Sequence, residues 1–126
     1  MNKKLCYACK KEKLISEFYK DRKRTDGFYN QCKECFNIYT AKLRVKRKEK
    51  AIEYKGNKCE RCLLEYPNTP YYIFDFHHKN PIEKEFVWNE VSQLSWETRK
   101  KELNKCILLC ANCHRHVEHE KLEKRW

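Results

Sequence analysis

Apolar residues along this chain are sparse and fall in short runs between charged stretches. The densest run is Tyr71-Tyr-Ile-Phe-Asp-Phe76, aromatic and β-branched, which predicts a strand with His77 and His78 at its end. Ile107-Leu108-Leu109 is a second, shorter run leading into Cys110. Between Asn37 and Lys55 there is no Gly or Pro, and Lys, Arg, Glu and Ala dominate, so a helix is predicted. Ile38, Ala41, Val45 and Ile52 would form its narrow apolar stripe. Gly56 ends that helix. Ser95 is placed to cap another over Trp96 to Asn104, and His114 to Arg125 reads as a charged terminal helix. Near the start, Ile15, Phe18 and Tyr19 supply apolar contacts to a small hairpin-like loop that turns at Asp26-Gly27.

This pattern is too thin to build an ordinary core. Hydrophobic residues are 40% of the 126, and that share includes nine cysteines. Small domains of this kind need staples. Eight cysteines stand in four C-x-x-C pairs, leaving Cys106 as a small buried hydrophobe. An odd count, no apolar leader after Met1 and no bilayer-length run point to a reducing cytoplasm, where such pairs are metal ligands rather than disulfides. Cys6 and Cys9 with Cys32 and Cys35 form one predicted four-thiolate zinc site, a redox or regulatory dithiol being the alternative. Cys59 and Cys62 with Cys110 and Cys113 form the second. Four sulfurs leave no open coordination position, so both zinc ions are structural. The predicted fold is small, zinc-stapled α+β: an N-terminal four-cysteine zinc module over residues 1–37, a basic linker helix over 38–55 and a C-terminal domain over 56–126.

Charge then narrows the partner. Lys plus Arg total 29 against 18 Asp plus Glu, a formal +11. Two zinc ions on eight thiolates would lower it to about +7. A basic surface attracts phosphate by counterion release. The Asn37–Lys55 helix carries Lys42, Arg44, Lys46, Arg47, Lys48 and Lys50, and is either a solvated linker or a rod along a phosphate backbone. Arg61, Lys79, Lys84 and Arg115 are further candidates to meet phosphate, with solvated surface as the alternative.

The second cysteine set clamps the strand before His77 to the helix after Cys113, and so gathers His77, His78 and His114. Neighbouring residues on a strand point to opposite sides, so His77 and His78 cannot bind one ion alike; one ligand and one base is the natural division. Imidazole is mostly neutral at pH 7 and ready to accept a proton. Asp75 could brace His78 or a nearby arginine, or be a surface carboxylate. Trp88 and Trp96 read as packing under the long loop.

Asp75-Phe-His-His78-x-x-Pro81, followed by Lys105-Cys-Ile-Leu-Leu-Cys-Ala-Asn-Cys-His114, resembles the ββα-metal core of HNH endonucleases over about Gly56 to Lys121. The N-terminal pairs, with Phe18 and Asp26-Gly27, resemble a small zinc module often placed ahead of such nucleases. The variant is common in phage and mobile elements, which implies the cytoplasm of a bacterium or phage-infected host. The resemblance implies hydrolysis of DNA phosphodiesters, with His78 as general base. His77 and His114 would be ligands of one catalytic divalent metal (Mg²⁺, Mn²⁺, Ni²⁺ or Zn²⁺). A further ligand one helical turn on would be Glu118, or alternatively His119, which points about 140° away on an ideal helix. The family's middle Asn falls at Lys105, beside Asn104, and the Lys105 carbonyl would orient the base. Arg44, Lys46, Arg47, Lys79 and Arg115 are the predicted DNA contacts. The alternative is a zinc-finger nucleic-acid binder that does not cleave. Monomer and dimer both remain open.

Overall fold

The computed structural model describes residues 2–124 and divides into two compact units, Met1–Arg44 and Val45–Trp126. In the first, β1 (Lys3–Leu5) pairs antiparallel with β2 (Glu12–Leu14), and β3 (Phe18–Lys20) with β4 (Phe28–Cys32). The predicted hairpin-like loop is therefore two ribbons. The Cys6–Cys9 knuckle joins β1 to β2, with Lys10 at φ 62 completing its reverse turn. Gly27, at φ 79, turns the chain from β3 to β4, and the Asp26 carboxylate accepts from the Phe28 amide. Among the described residues, Cys6, Phe18 and Cys32 form this unit's buried core.

The helix α1 runs Lys33–Tyr54, directly out of β4, so it starts four residues before the predicted onset. It is not a separate linker. Its first turns carry Cys35 within the first unit, and its last turns bury Ala51 and Ile52 in the second. The compact units meet at 44/45, whereas the sequence suggests boundaries at 37/38 and 55/56. The predicted stripe holds only at its end: Ile52 is fully buried, whereas Ile38 is 50% exposed and Ala41 is exposed. The first unit is too small to cover that face of the helix.

In the second unit, β5 (Phe74–His78) pairs antiparallel with β6 (Cys106–Cys110). Pro70 opens a 3-10 turn over Tyr71–Ile73, so the strand begins three residues later than predicted and contains both histidines. Its register sets Phe74 opposite Cys110, His77 opposite Ile107 and His78 opposite Cys106. The connection holds α2 (Trp88–Val91) and α3 (Trp96–Leu103). The Ser95 hydroxyl caps α3 by accepting from the Thr98 amide at 3.3 Å. Helix α4 (Ala111–Glu123) starts three residues before the predicted His114 because Cys110 is its cap: the sulfur accepts from the Cys113 amide. The predicted end at Arg125 lies outside the described residues. Ile52, Cys59, Phe74, Leu108, Leu109, Cys110 and Cys113 form the core. No helix among the described residues is long and apolar enough to cross a membrane.

Two positions on α1 test where its stability comes from. Ile52→Ala should cost the second unit about 2–5 kcal/mol, whereas Ile38→Ala should change stability by less than about 0.5 kcal/mol. Urea denaturation of the zinc-loaded variants reads the difference, and equal losses would refute this account of the core.

Candidate metal and phosphate site

The cysteine sulfurs converge as two sets. Within Cys6, Cys9, Cys32 and Cys35, and within Cys59, Cys62, Cys110 and Cys113, all sulfurs lie within 4.8 Å of one another. Both sets can hold metal, and four-thiolate chemistry suits zinc. Backbone amides point at the sulfurs: Cys9 and Cys32 donate to Cys6, and Cys113 donates to Cys110. Burial pushes the Cys59 thiol up, but amide donors from Cys62, Cys110 and Arg61 outweigh it and hold the group at about 6. Cys113 is pushed far up by burial and by its neighbouring sulfurs. Without a cation, then, the set favours one thiolate over several; a metal favours all four. Cys106 stands apart, buried, with its thiol raised to about 11 by burial, and donates to the Glu102 carbonyl.

The clamp brings β5 against α4, and a third group forms between them. Donor atoms of His77, His114 and Glu118 also lie within 4.8 Å of one another. His77 Nδ1 is 3.3 Å from Glu118 Oε1, and His114 Nε2 is 3.8 Å from the same oxygen. Two metal–donor bonds of about 2.1 Å span such separations, so this set fits a divalent ion. The His77 and His114 rings meet edge-on with centroids 5.2 Å apart. His114 turns its other nitrogen, Nδ1, to Asp75 Oδ2 at 3.2 Å. A carboxylate behind a ligand imidazole fixes ring orientation and raises its basicity. Asp75 therefore braces His114, not His78 or an arginine. His119 points elsewhere and sits 3.0 Å from Glu123. Burial, then the Lys121 ammonium and His114, push His77 below its ordinary pKa, which favours the neutral ring that metals bind.

His78 faces the other side of β5, toward α3. Its Nε2 is 2.7 Å from Glu102 Oε1. That carboxylate is buried and also accepts from the Glu85 and Phe86 amides and from Lys105 Nζ. Burial alone would raise Glu102; the bonds from His78, Lys105 and the amides outweigh it and hold the group below the ordinary range. Glu102 is thus an anion that can only accept, so Nε2 carries a proton, and in the neutral ring the lone pair falls on Nδ1. The predicted orientation of His78 by Lys105 is not what the structure shows. The Lys105 carbonyl accepts from the Lys79 amide, and Asn104 accepts from the Tyr54 hydroxyl.

His77 and His78 diverge, yet both line one cavity of about 280 Å³, with Phe76, Pro81, Lys84, His114, Glu118 and Lys121. Lys121 Nζ is 3.5 Å from His77 Nε2 and 3.7 Å from Glu118. Sequence reasoning missed it, although a heptad step from His114 puts it on the same helix face. Glu102 left no sequence signal to separate it from Glu97. Of the predicted phosphate contacts, Arg44, Lys46, Lys79 and Arg115 are exposed and Arg47 is half-buried. Lys84 lines the cavity, while Arg61 is paired with Glu120. Trp88 packs on Phe76, as expected of a packing residue. In comparisons with known proteins, no family model, curated protein or solved structure matches the chain.

Two outcomes follow for metals. The purified chain should carry two zinc ions by elemental analysis. Cys6→Ser and Cys59→Ser should each lose one, with only the latter disordering the histidine site. In zinc-loaded protein, Asp75→Asn should weaken a further equivalent of Ni²⁺ or Mn²⁺ about 10–100-fold, and His114→Ala should abolish it. Calorimetric titration reads both; unchanged affinity in His114→Ala would dismiss this site.

Proposed function

We propose that this chain is an HNH-type metal-dependent endonuclease that hydrolyses DNA phosphodiesters. One observation carries the reading: a two-histidine, one-carboxylate metal set and a third, carboxylate-held histidine line the same cavity. The β5–β6–α4 order agrees with the ββα-metal core that the sequence resembles. A formal charge of +11 suits a polyanionic substrate.

His77, His114 and Glu118 would hold the catalytic divalent metal, which when bound supplies positive charge against the scissile phosphate and the leaving 3′ oxygen. His78 acts as the base. Its Nδ1 takes a proton from water as the water oxygen bonds to phosphorus and the P–O3′ bond breaks. Nε2–H stays on Glu102, which stabilises the imidazolium as it forms. The 3′ oxygen gains its proton from solvent, leaving 5′-phosphate and 3′-hydroxyl ends. Lys84 and Lys121 offer cations to the non-bridging oxygens. A single site cuts one strand, so nicking is the minimal activity.

A second reading, a zinc-stapled nucleic-acid binder that does not cleave, draws on Lys121. Its ammonium beside His77 and Glu118 neutralises that group without an ion. The two readings separate in a plasmid-nicking assay with Mg²⁺, Mn²⁺, Ni²⁺ and Zn²⁺. Wild type should nick; His78→Ala should lose about 10²–10⁴-fold in rate while binding DNA unchanged. Glu102→Gln should lower kcat with little effect on KM. Wild type inert with every metal would leave the binding reading standing.

A further inference from the structure

We infer that α1 and α3 of the second unit build a separate seat for a backbone phosphate of duplex DNA. Arg47, Lys50 and Tyr54 recur along one face of α1, and Trp96 and Arg99 along one face of α3. The Trp96 indole is the hub. Lys50 Nζ lies 4.3 Å from its ring centroid and Arg99 Cζ 5.2 Å. Tyr54 meets the same ring edge-on at 5.5 Å and donates its hydroxyl to Asn104, which locks the indole in place. Both cations sit over the aromatic system, which is attractive for each singly.

Their charges have no anion to meet. Among the described residues, Arg47, Lys50 and Arg99 make no ion pair, although Glu97, one residue from Trp96, pairs with Lys100. Arg99 is half-buried, and its Nε and Nη1 are enclosed without a hydrogen-bond partner. Burial and the nearby Arg47 both act against its charge. A guanidinium so placed calls for an anionic acceptor, and its planar fork matches two phosphate oxygens. Lys50 is exposed beside it and Arg47 half-buried, so the charge is offered to solvent. Seating a phosphate would draw Arg99 outward and join the three cations around one monoanionic diester group. The aromatic ring contributes orientation rather than base stacking, because cations already lie against it.

The choice of DNA as the source of that phosphate rests on the proposed nuclease reading, but the seat's test does not need cleavage. Zinc-loaded protein, without added divalent metal, is titrated with a fluorescent DNA duplex at several salt concentrations. Arg99→Met with Lys50→Gln should raise Kd about tenfold and reduce the slope of log K against log salt by about 1–2, the loss of one or two phosphate contacts. Lys50→Gln alone, an exposed change that leaves packing intact, should reduce the slope by about 1. Lys101→Gln, exposed on α3 and outside the seat, should leave it unchanged. Inorganic phosphate at millimolar concentration should not displace the duplex; displacement would overturn the assignment to DNA in favour of a small-anion site. Wild-type affinity and slope in both seat variants would overturn the seat itself while leaving any nicking untouched. Lost affinity in the variants of a chain that never nicks would support the seat and remove the nuclease reading.

Discussion

Everything in the second unit depends on four sulfurs meeting at one point. Cys110 shows why. It closes β6 opposite Phe74, caps the first turn of α4 and contributes its sulfur to the cluster. A single residue thereby sets where the strand stops, where the helix starts and the angle between them. The knuckle at Cys59 is tied in by the Glu60 amide, which donates to the Leu108 carbonyl. Among the described residues, the buried apolar side chains of this unit besides cysteines are Ala51, Ile52, Phe74, Val91, Leu103, Leu108 and Leu109. Beside so small a core, four thiolates closed on a cation would be a large source of order. His114 follows Cys113 directly, so its position is inherited from the cluster rather than set by packing of its own.

Strand alternation then divides the imidazoles between two neighbourhoods. Each of His114 and His78 has one nitrogen held by a carboxylate, Asp75 or Glu102, and one left for the cavity. The two carboxylates differ in kind. Asp75 is half-buried and is worth most when the ring it supports carries a cation. Glu102 is buried, with four donors, and is rigid before anything binds. His114, in the candidate metal group, is thus supported from β5 by Asp75, and His78 from α3 by Glu102.

How far this was legible follows the locality of each signal. The two cysteine sets could be read because C-x-x-C spacing is a short-range pattern written in a rare residue type. The expected gathering of His77 with His114 came from the clamp that the second set would form, and their role as ligands from the resemblance to HNH nucleases. The cap at Ser95 and the strand ending in His77-His78 were local too. Glu102 was not legible: which glutamate reaches His78 depends on how α3 packs over β5, and nothing near position 102 differs from position 97. The overreach at Ile38 has the same origin. Helical periodicity gives a stripe, but burial needs a partner surface, and the small first unit has none to offer. Trp96 was read as packing, and its cation-laden faces emerged only when α1 and α3 came together.

Electrostatic balance links the cavity to its proposed substrate. Glu118 brings one negative charge to His77 and His114, and Lys121 beside them offsets it. Lys84 adds another cation at the rim. A divalent ion entering this group would leave a net positive cavity that its own side chains cannot neutralise, since Asp75 is engaged with His114 and Glu102 with His78 and Lys105. The missing negative charge must come from a ligand. A phosphodiester supplies one charge at rest, and its negative charge becomes concentrated on reacting oxygens in the transition state. In the proposed reaction the lysines meet charge that the non-bridging oxygens carry at rest and that grows as His78 takes the proton of the attacking water, and only that growth accelerates the step rather than merely binding the substrate.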